Sequence, residues 1–156
     1  MPIKLSRRTI VSLSAAGFVA VAAYEGYRES AYIPVPGDVP TIGFGTTARV
    51  KLGDTVTPVA ALGMALEDVQ KLEAALQNDC INAAVYQHEY DAFFSLAYNV
   101  GAGAFCKSTL IKKLNAGDYT GACSQIKKWN HFKGRPHPGL TARREKEYQT
   151  CIGGPS

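Results

Sequence analysis

The chain has 156 residues and a net charge of +4, enough for one compact domain, and a composition 46% hydrophobic and 19% charged excludes a disordered segment. Positive charge gathers near the C-terminus at Lys127, Lys128, Lys133, Arg135, Arg143, Arg144 and Lys146. Glu145 and Glu147 interrupt the cluster, and zinc-finger spacing, heptads and an aromatic-basic RNA-binding signature are missing, which argues against nucleic acid as a partner. Four cysteines, Cys80, Cys106, Cys123 and Cys151, show no CxxC spacing and no histidine at ligand spacing. They point to two disulfides and an oxidising compartment rather than to zinc, with three pairings open.

In chain order, the first predicted element is an apolar helix. After Lys4, Arg7 and Arg8, residues 9–24 (TIVSLSAAGFVAVAAY) carry no charge. As a helix they span about 24 Å, short of the roughly 30 Å hydrocarbon core, and their Ala, Gly and Ser content weakens insertion further. Three readings follow: a signal peptide cleaved near Ala20-Val21-Ala22, a buried core helix, or an uncleaved weak membrane anchor that later lets go, the reading adopted here. The flanking cations would keep the N-terminus cytoplasmic and send the rest outward.

Residues 32–45 hold three prolines and three glycines, so they predict a small β-hairpin, with Thr41-Ile42-Gly43-Phe44 as a short strand. Thr57-Pro58 then caps a helix to about Asn78, with Val59, Leu62, Leu66, Val69, Leu72 and Leu76 along one side. Further helices are predicted from about Gln87 to Val100 with Gly101 as the stop, near 107–115, near 118–130, and from a Thr141 cap through Cys151. The pattern is α+β, with no internal repeat and no linker.

One acidic residue stands out. Glu25, in AVAAYEGYRESAY, ends the apolar helix, where the negative pole and the apolar surroundings both disfavour ionisation and raise a carboxyl pKa. A carboxyl kept protonated near neutral pH suits a general acid. Glu29 falls one turn later on the same predicted helix, too close to serve as its partner.

EGYRESAY, PGDVPTIGFGTT, YNVGAGAFCKSTLIKKLNAGDY, the single Trp129 and GLTARREKE follow one another in this order. On these motifs the chain resembles the phage-type lysozymes, the endolysins that cut peptidoglycan. Its N-terminal segment resembles that of the signal-arrest-release members. The resemblance implies a lysozyme-like α+β fold: an N-terminal apolar helix, a small β-hairpin lobe and a mainly helical C-terminal lobe. Residues 1–24 would be the membrane-targeting segment and 25–156 the lysozyme domain, with the β lobe at about 30–56 and the helical lobe at about 57–156.

The implied activity is that of a muramidase, cleaving the β-1,4 bond between N-acetylmuramic acid and N-acetylglucosamine. Glu25 would be the acid and Thr41 would position the attacking water. The family's usual spacing for the second carboxylate lands on Pro34, so the role passes to Asp38, the only acidic side chain between Glu29 and Thr41. Asn99, Ser108 and Thr141 match substrate-facing positions, and Arg144 matches an arginine that pairs with the catalytic glutamate. His88, His131 and His137 match nothing catalytic, and Thr46 stands where many relatives carry histidine. Trp129 could stack on sugar or lie in the core.

The resemblance also implies a Cys123–Cys151 bridge and, with that bridge made, Cys80–Cys106. It implies no cofactor and no metal. Peptidoglycan would be the partner, with the inner membrane engaged transiently through residues 9–24, and the protein a monomer exported to the periplasm of a Gram-negative host. Alternatives are a lytic transglycosylase using Glu25 alone and a degenerate homologue that only binds glycan.

Overall fold

The alanine-rich segment ends in a helix, α1 (Ala15–Glu25), in the computed structural model, which describes residues 12–154. Residues 9–11 of the predicted anchor lie outside that range. Among the described residues no helix is long and apolar enough to cross a membrane. Two compact units form, Phe18–Lys71 and a larger one from the residues on either side of it.

In Phe18–Lys71, Gly26 stops α1: it sits at φ 69°, left-handed, and its N–H donates back to the Ala22 carbonyl at 3.0 Å. Strand β1 (Arg28–Tyr32) follows at once and pairs antiparallel with β2 (Thr41–Gly43), with Arg28 opposite Gly43 and Tyr32 opposite Thr41. Five residues facing three makes a bulge, which bends β1. On its other side β1 takes a bridge from Ser30 to Thr55, with the Val56 N–H donating to the Glu29 carbonyl at 2.9 Å.

Glu29 therefore belongs to β1, not to a continuation of the first helix as its spacing suggests. A glycine free to adopt positive φ ends the helix before the next turn can form.

Helix α2 (Pro58–Asp79) opens as its Thr-Pro start predicts, the Thr57 hydroxyl accepting from the Ala60 N–H at 3.3 Å. Its predicted apolar side is buried at Val69 and Leu76 but not over the first turns. Val59, Leu62 and Leu66 are 80%, 41% and 47% exposed, while Ala61, Ala65, Val69 and Leu76 are buried. The cause is a close approach: a Cβ on Gly43 would lie 2.9 Å from the Ala61 Cβ, so the strand backbone comes down on an alanine where a leucine would not fit.

The larger unit is helical. Helix α3 (Gln87–Val100) ends at Gly101, φ 91°, as predicted. Then come α4 (Ala102–Cys106), α5 (Thr109–Asn115), α6 (Tyr119–Gln125) with a 3-10 turn at Ile126–Lys128, the hairpin β3 (His131–Phe132) and β4 (Arg135–Pro136), and α7 (Pro138–Cys151). The hydrophobic face of α3 packs on α7 and α4, and α5 packs on α6. Phe93, Phe94, Leu96, Phe105, Leu110 and Leu114 are fully buried there.

The disulfides are Cys80–Cys106 and Cys123–Cys151, the pairing that the resemblance implied. Helix α7 begins three residues before the predicted Thr141 cap. His137 is the cap, its Nδ1 accepting from the Leu140 N–H at 3.3 Å, and Pro138 supplies the preset φ of the first turn.

The same unit holds the approach to α1 with polar side chains. Asp91 accepts from the Ser14 N–H at 3.1 Å and the Ser14 hydroxyl at 2.5 Å, Glu73 accepts from the Leu13 N–H, and Gln87 donates to the Ser12 carbonyl at 2.9 Å. Donors at a helix start have no intrahelical acceptor, and these carboxylates take that place.

Candidate active site

In the smaller unit the three predicted catalytic residues occupy different kinds of backbone. Glu25 is the last residue of α1 and half-buried. Thr41 opens β2 and is buried, its hydroxyl donating to the Val39 carbonyl at 3.2 Å. That bond uses the hydroxyl proton and leaves lone pairs able to accept from a water. Asp38 is exposed in the Pro/Gly turn: its N–H donates to the Val35 carbonyl at 2.9 Å, and its Oδ1 accepts from the Val39 N–H at 2.8 Å. The aspartate thus closes its own turn, and among the described residues Oδ2 has no protein partner.

The structure brings Glu25 to the loop that follows Thr41. Ile42 and Thr46 exchange two backbone hydrogen bonds, 2.9 and 3.0 Å, which fold Gly43-Phe44-Gly45 into a tight turn. Both glycines have positive φ, 63° and 90°. A Cβ on Gly45 would lie 2.9 Å from Glu25 Oε2, so the bare α-carbon is the surface on which the carboxyl rests. Sequence reading did not identify Gly45 as part of the site. Its signal was the paired glycines of TIGFG, which read as a turn without saying what the turn touches.

Thr46 has a definite task where an imidazole role is missing: it is buried, and its hydroxyl donates to Asp68 Oδ2 at 2.7 Å, tying the turn to α2. Tyr27, just past Glu25, donates to the Val56 carbonyl at 2.7 Å and packs its ring against Phe44 at 5.5 Å.

The remaining predicted residues lie in the larger unit. Asn99 is exposed near the end of α3. Ser108 caps α5, accepting from the Ile111 N–H at 3.3 Å and donating to the Phe105 carbonyl at 2.6 Å. Thr141 is exposed on α7 and accepts from the Asn130 side chain at 3.1 Å. Arg144 is 1% exposed, its Nε 2.7 Å from Glu147 Oε2, with further bonds to Glu147 Oε1 at 3.1 Å and the Trp129 carbonyl at 3.3 Å.

Glu147 also accepts from Arg143 Nε at 3.0 Å and from the Ser95 hydroxyl at 2.7 Å, so two guanidiniums share one buried carboxylate. Such a fork fixes Arg144 in position far better than a lysine could be fixed. Trp129 is half-buried beside the β3–β4 hairpin. Among the described residues no group of three or more His, Cys, Asp or Glu side chains is placed to hold a metal ion.

A family model described as phage lysozyme matches residues 22–147. An endolysin of Acyrthosiphon pisum secondary endosymbiont phage 1 is 40% identical over 139 residues, covering 86% of this chain and 94% of that protein. The SAR-endolysin of Enterobacteria phage P21 is 32% identical over 159 residues, covering 95% and 96%. Among solved structures, the endolysin from Escherichia coli O157:H7 phage FAHEc1 superposes with a TM-score of 0.78 at 33% identity, covering 94% of this chain and 98% of that one. A P22 lysozyme gives 0.79 at 30% identity, covering 91% and 99%.

Proposed function

Because the chain belongs to the phage lysozyme family, whose members are peptidoglycan-cleaving enzymes of host lysis, we propose that it is a muramidase with Glu25 as its general acid. The observation that carries this is the seat of Glu25 on Gly45. The carboxyl is held at a helix end against a rigid turn four residues beyond Thr41, so acid and water-positioning hydroxyl come from one small framework. Glu25 would protonate the glycosidic oxygen, Thr41 would accept a hydrogen bond from the attacking water, and Asp38 would take that water's proton through Oδ2. Asn99, Ser108 and Thr141 would contact sugar, and Arg144 would support Glu25.

The engagement of Asp38 Oδ1 with its own turn favours a second reading, lytic transglycosylase chemistry, in which a lone acid suffices and the muramic acid's own hydroxyl attacks. Mass spectrometry of digested cell wall separates the two. Reducing ends are expected; 1,6-anhydro ends would move the assignment to the second reading. Glu25→Gln should lower kcat by about 10²- to 10⁴-fold, and an unchanged rate would remove Glu25 from the acid's role, whereas absence of turnover in the wild type would reduce the protein to a glycan binder.

Export fits the same picture. Residues 9–24 would carry the chain to the inner membrane as a weak anchor, and the similarity to a SAR-endolysin extends over 95% of the chain. Replacing several alanines and the one glycine of that segment with leucine should delay lysis; unchanged timing would count against the anchor.

A further inference from the structure

The turn that seats Glu25 is fastened to α2 at two points. At one, Gly43 comes down on Ala61. At the other, two helical turns further along the same face, Asp68 Oδ2 accepts from the Thr46 hydroxyl at 2.7 Å. Between these points the chain carries Phe44 and Gly45, and Gly45 is the surface on which the Glu25 carboxyl rests.

The two fastenings differ in kind. The first is a packing contact between small groups, which limits how near the strand can come and leaves it able to rock about the contact. The second is directional, because a hydrogen bond to a carboxylate weakens steeply as it bends. Two backbone bonds between Ile42 and Thr46 make the turn one piece, so whatever holds Thr46 also holds Gly45, its neighbour in the chain.

Bulk alone does not account for the threonine. Thr46 is 4% exposed, and its hydroxyl needs an acceptor there, whereas a valine of nearly the same shape would fill the space and need none. Resting on the reading of Glu25 as the acid, we propose that Thr46 and Asp68 are positioning residues for catalysis. Their bond sets the height of Gly45 above α2, and through Gly45 it sets where the Glu25 carboxyl stands. On this assignment neither residue touches the sugar; both act through the turn.

Three variants follow the hydroxyl. Thr46→Val removes it and keeps the shape, Asp68→Ala removes its acceptor, and Thr46→Ser keeps the hydroxyl while losing the methyl. In Thr46→Val and Asp68→Ala kcat should fall about tenfold with KM within about twofold of wild type, and Thr46→Ser should rescue kcat whatever its melting temperature. Exchange of the Ile42 N–H, which donates to the Thr46 carbonyl at 2.9 Å, reads the turn directly. It should quicken about tenfold in the first two variants and return toward wild type in Thr46→Ser. In a Gly45→Ala background, where the seat is already displaced, Thr46→Val should cost no further kcat.

A kcat that follows side-chain volume, lower in Thr46→Ser than in Thr46→Val, overturns the proposal. So does a full further loss in the Gly45→Ala background, which would route the effect past the turn. Wild-type kcat in Thr46→Val beside a crippled Glu25→Gln overturns this assignment alone. Wild-type kcat in Glu25→Gln strikes the acid's assignment and this one together, while the exchange rates still report whether the bond holds the turn.

Discussion

The two units of the molecule are built from different materials. Phe18–Lys71 is held by small side chains: its buried apolar residues are Val21, Ile42, Ala61, Ala65 and Val69, and its turns rest on positive-φ glycines at 26, 37, 43, 45 and 53. The larger unit buries Tyr90, Phe93, Phe94 and Phe105 and closes two disulfides. Apolar burial scales with side-chain area, so the larger unit holds most of the folding free energy, while the smaller one holds the carboxyl and hydroxyl assigned to the chemistry. Positioning a reacting group needs a backbone that comes close, and close approach needs glycine and alanine; stability needs bulk.

That contrast can be broken or sharpened by substitution. The largest expected effect is on stability, from the larger unit: Phe93→Ala, at a site with 0% exposure, should cost about 3–5 kcal/mol in urea denaturation while the folded fraction keeps its specific activity. Equal loss of specific activity would show that the division of labour is wrong. Replacing the Cys80–Cys106 pair with alanines should cost about 3–4 kcal/mol, because the bridge closes a separation of 26 residues, and should again leave specific activity in place.

Gly45→Ala reverses the pattern. The new methyl meets the Glu25 carboxyl at 2.9 Å and the torsion is unfavourable, so stability should fall by about 1–3 kcal/mol while kcat falls about 100-fold. Gly26→Ala is its control. The torsion there is also positive but nothing lies within 4 Å of the added carbon, so stability should fall by about 1–2 kcal/mol with far less loss of kcat. Comparable loss of kcat in both would remove the meaning given to the Gly45 contact.

The smallest expected effect is at Asp118, which caps α6 by accepting from the Gly121 N–H at 2.9 Å. That backbone bond is the main cause holding its carboxyl below the ordinary 3.8, with Lys113 adding to it. A depressed folded-state pKa means the contribution is fully present above the ordinary value and is lost as pH falls through the folded value. Thermal melts between about pH 5 and pH 2 should therefore show a slightly shallower acid slope in Asp118→Asn, which keeps the cap without the proton equilibrium.

Much of this architecture was legible from local chemistry. Thr57-Pro58 marked the start of α2, Gly101 marked the end of α3, and the Pro/Gly run at 32–45 marked the hairpin, because each acts through its own torsion or its own N–H. What failed had causes both local and distant in sequence. Helical spacing carried Glu29 past a glycine that ends the helix. The apolar side read along α2 holds at Val69 and Leu76 but fails at Val59, Leu62 and Leu66, where the descent of Gly43 onto Ala61 turns the alanines inward. Thr141 lost the cap of α7 to His137, since Pro138 could open the helix earlier. The short α4 and the β3–β4 hairpin carry too few residues to show a period. In the proposed site, Glu25 and Thr41 were assigned by motif, whereas Gly45 could not be, because a missing side chain announces nothing about what rests against it.

The alternating glycines of the Gly43-Phe44-Gly45 turn set unequal rules for sequence drift. Position 43 faces a methyl group, so the volume part of a substitution there can be relieved by Ala61→Gly, although its positive φ still imposes backbone strain on any residue with a side chain. Position 45 faces an oxygen of Glu25, the proposed acid, and no trimming of that neighbour would preserve the role proposed for it. Two glycines that look interchangeable on paper therefore face unequal constraints, one crowded by a methyl group that can be trimmed and the other by the carboxyl proposed as the acid.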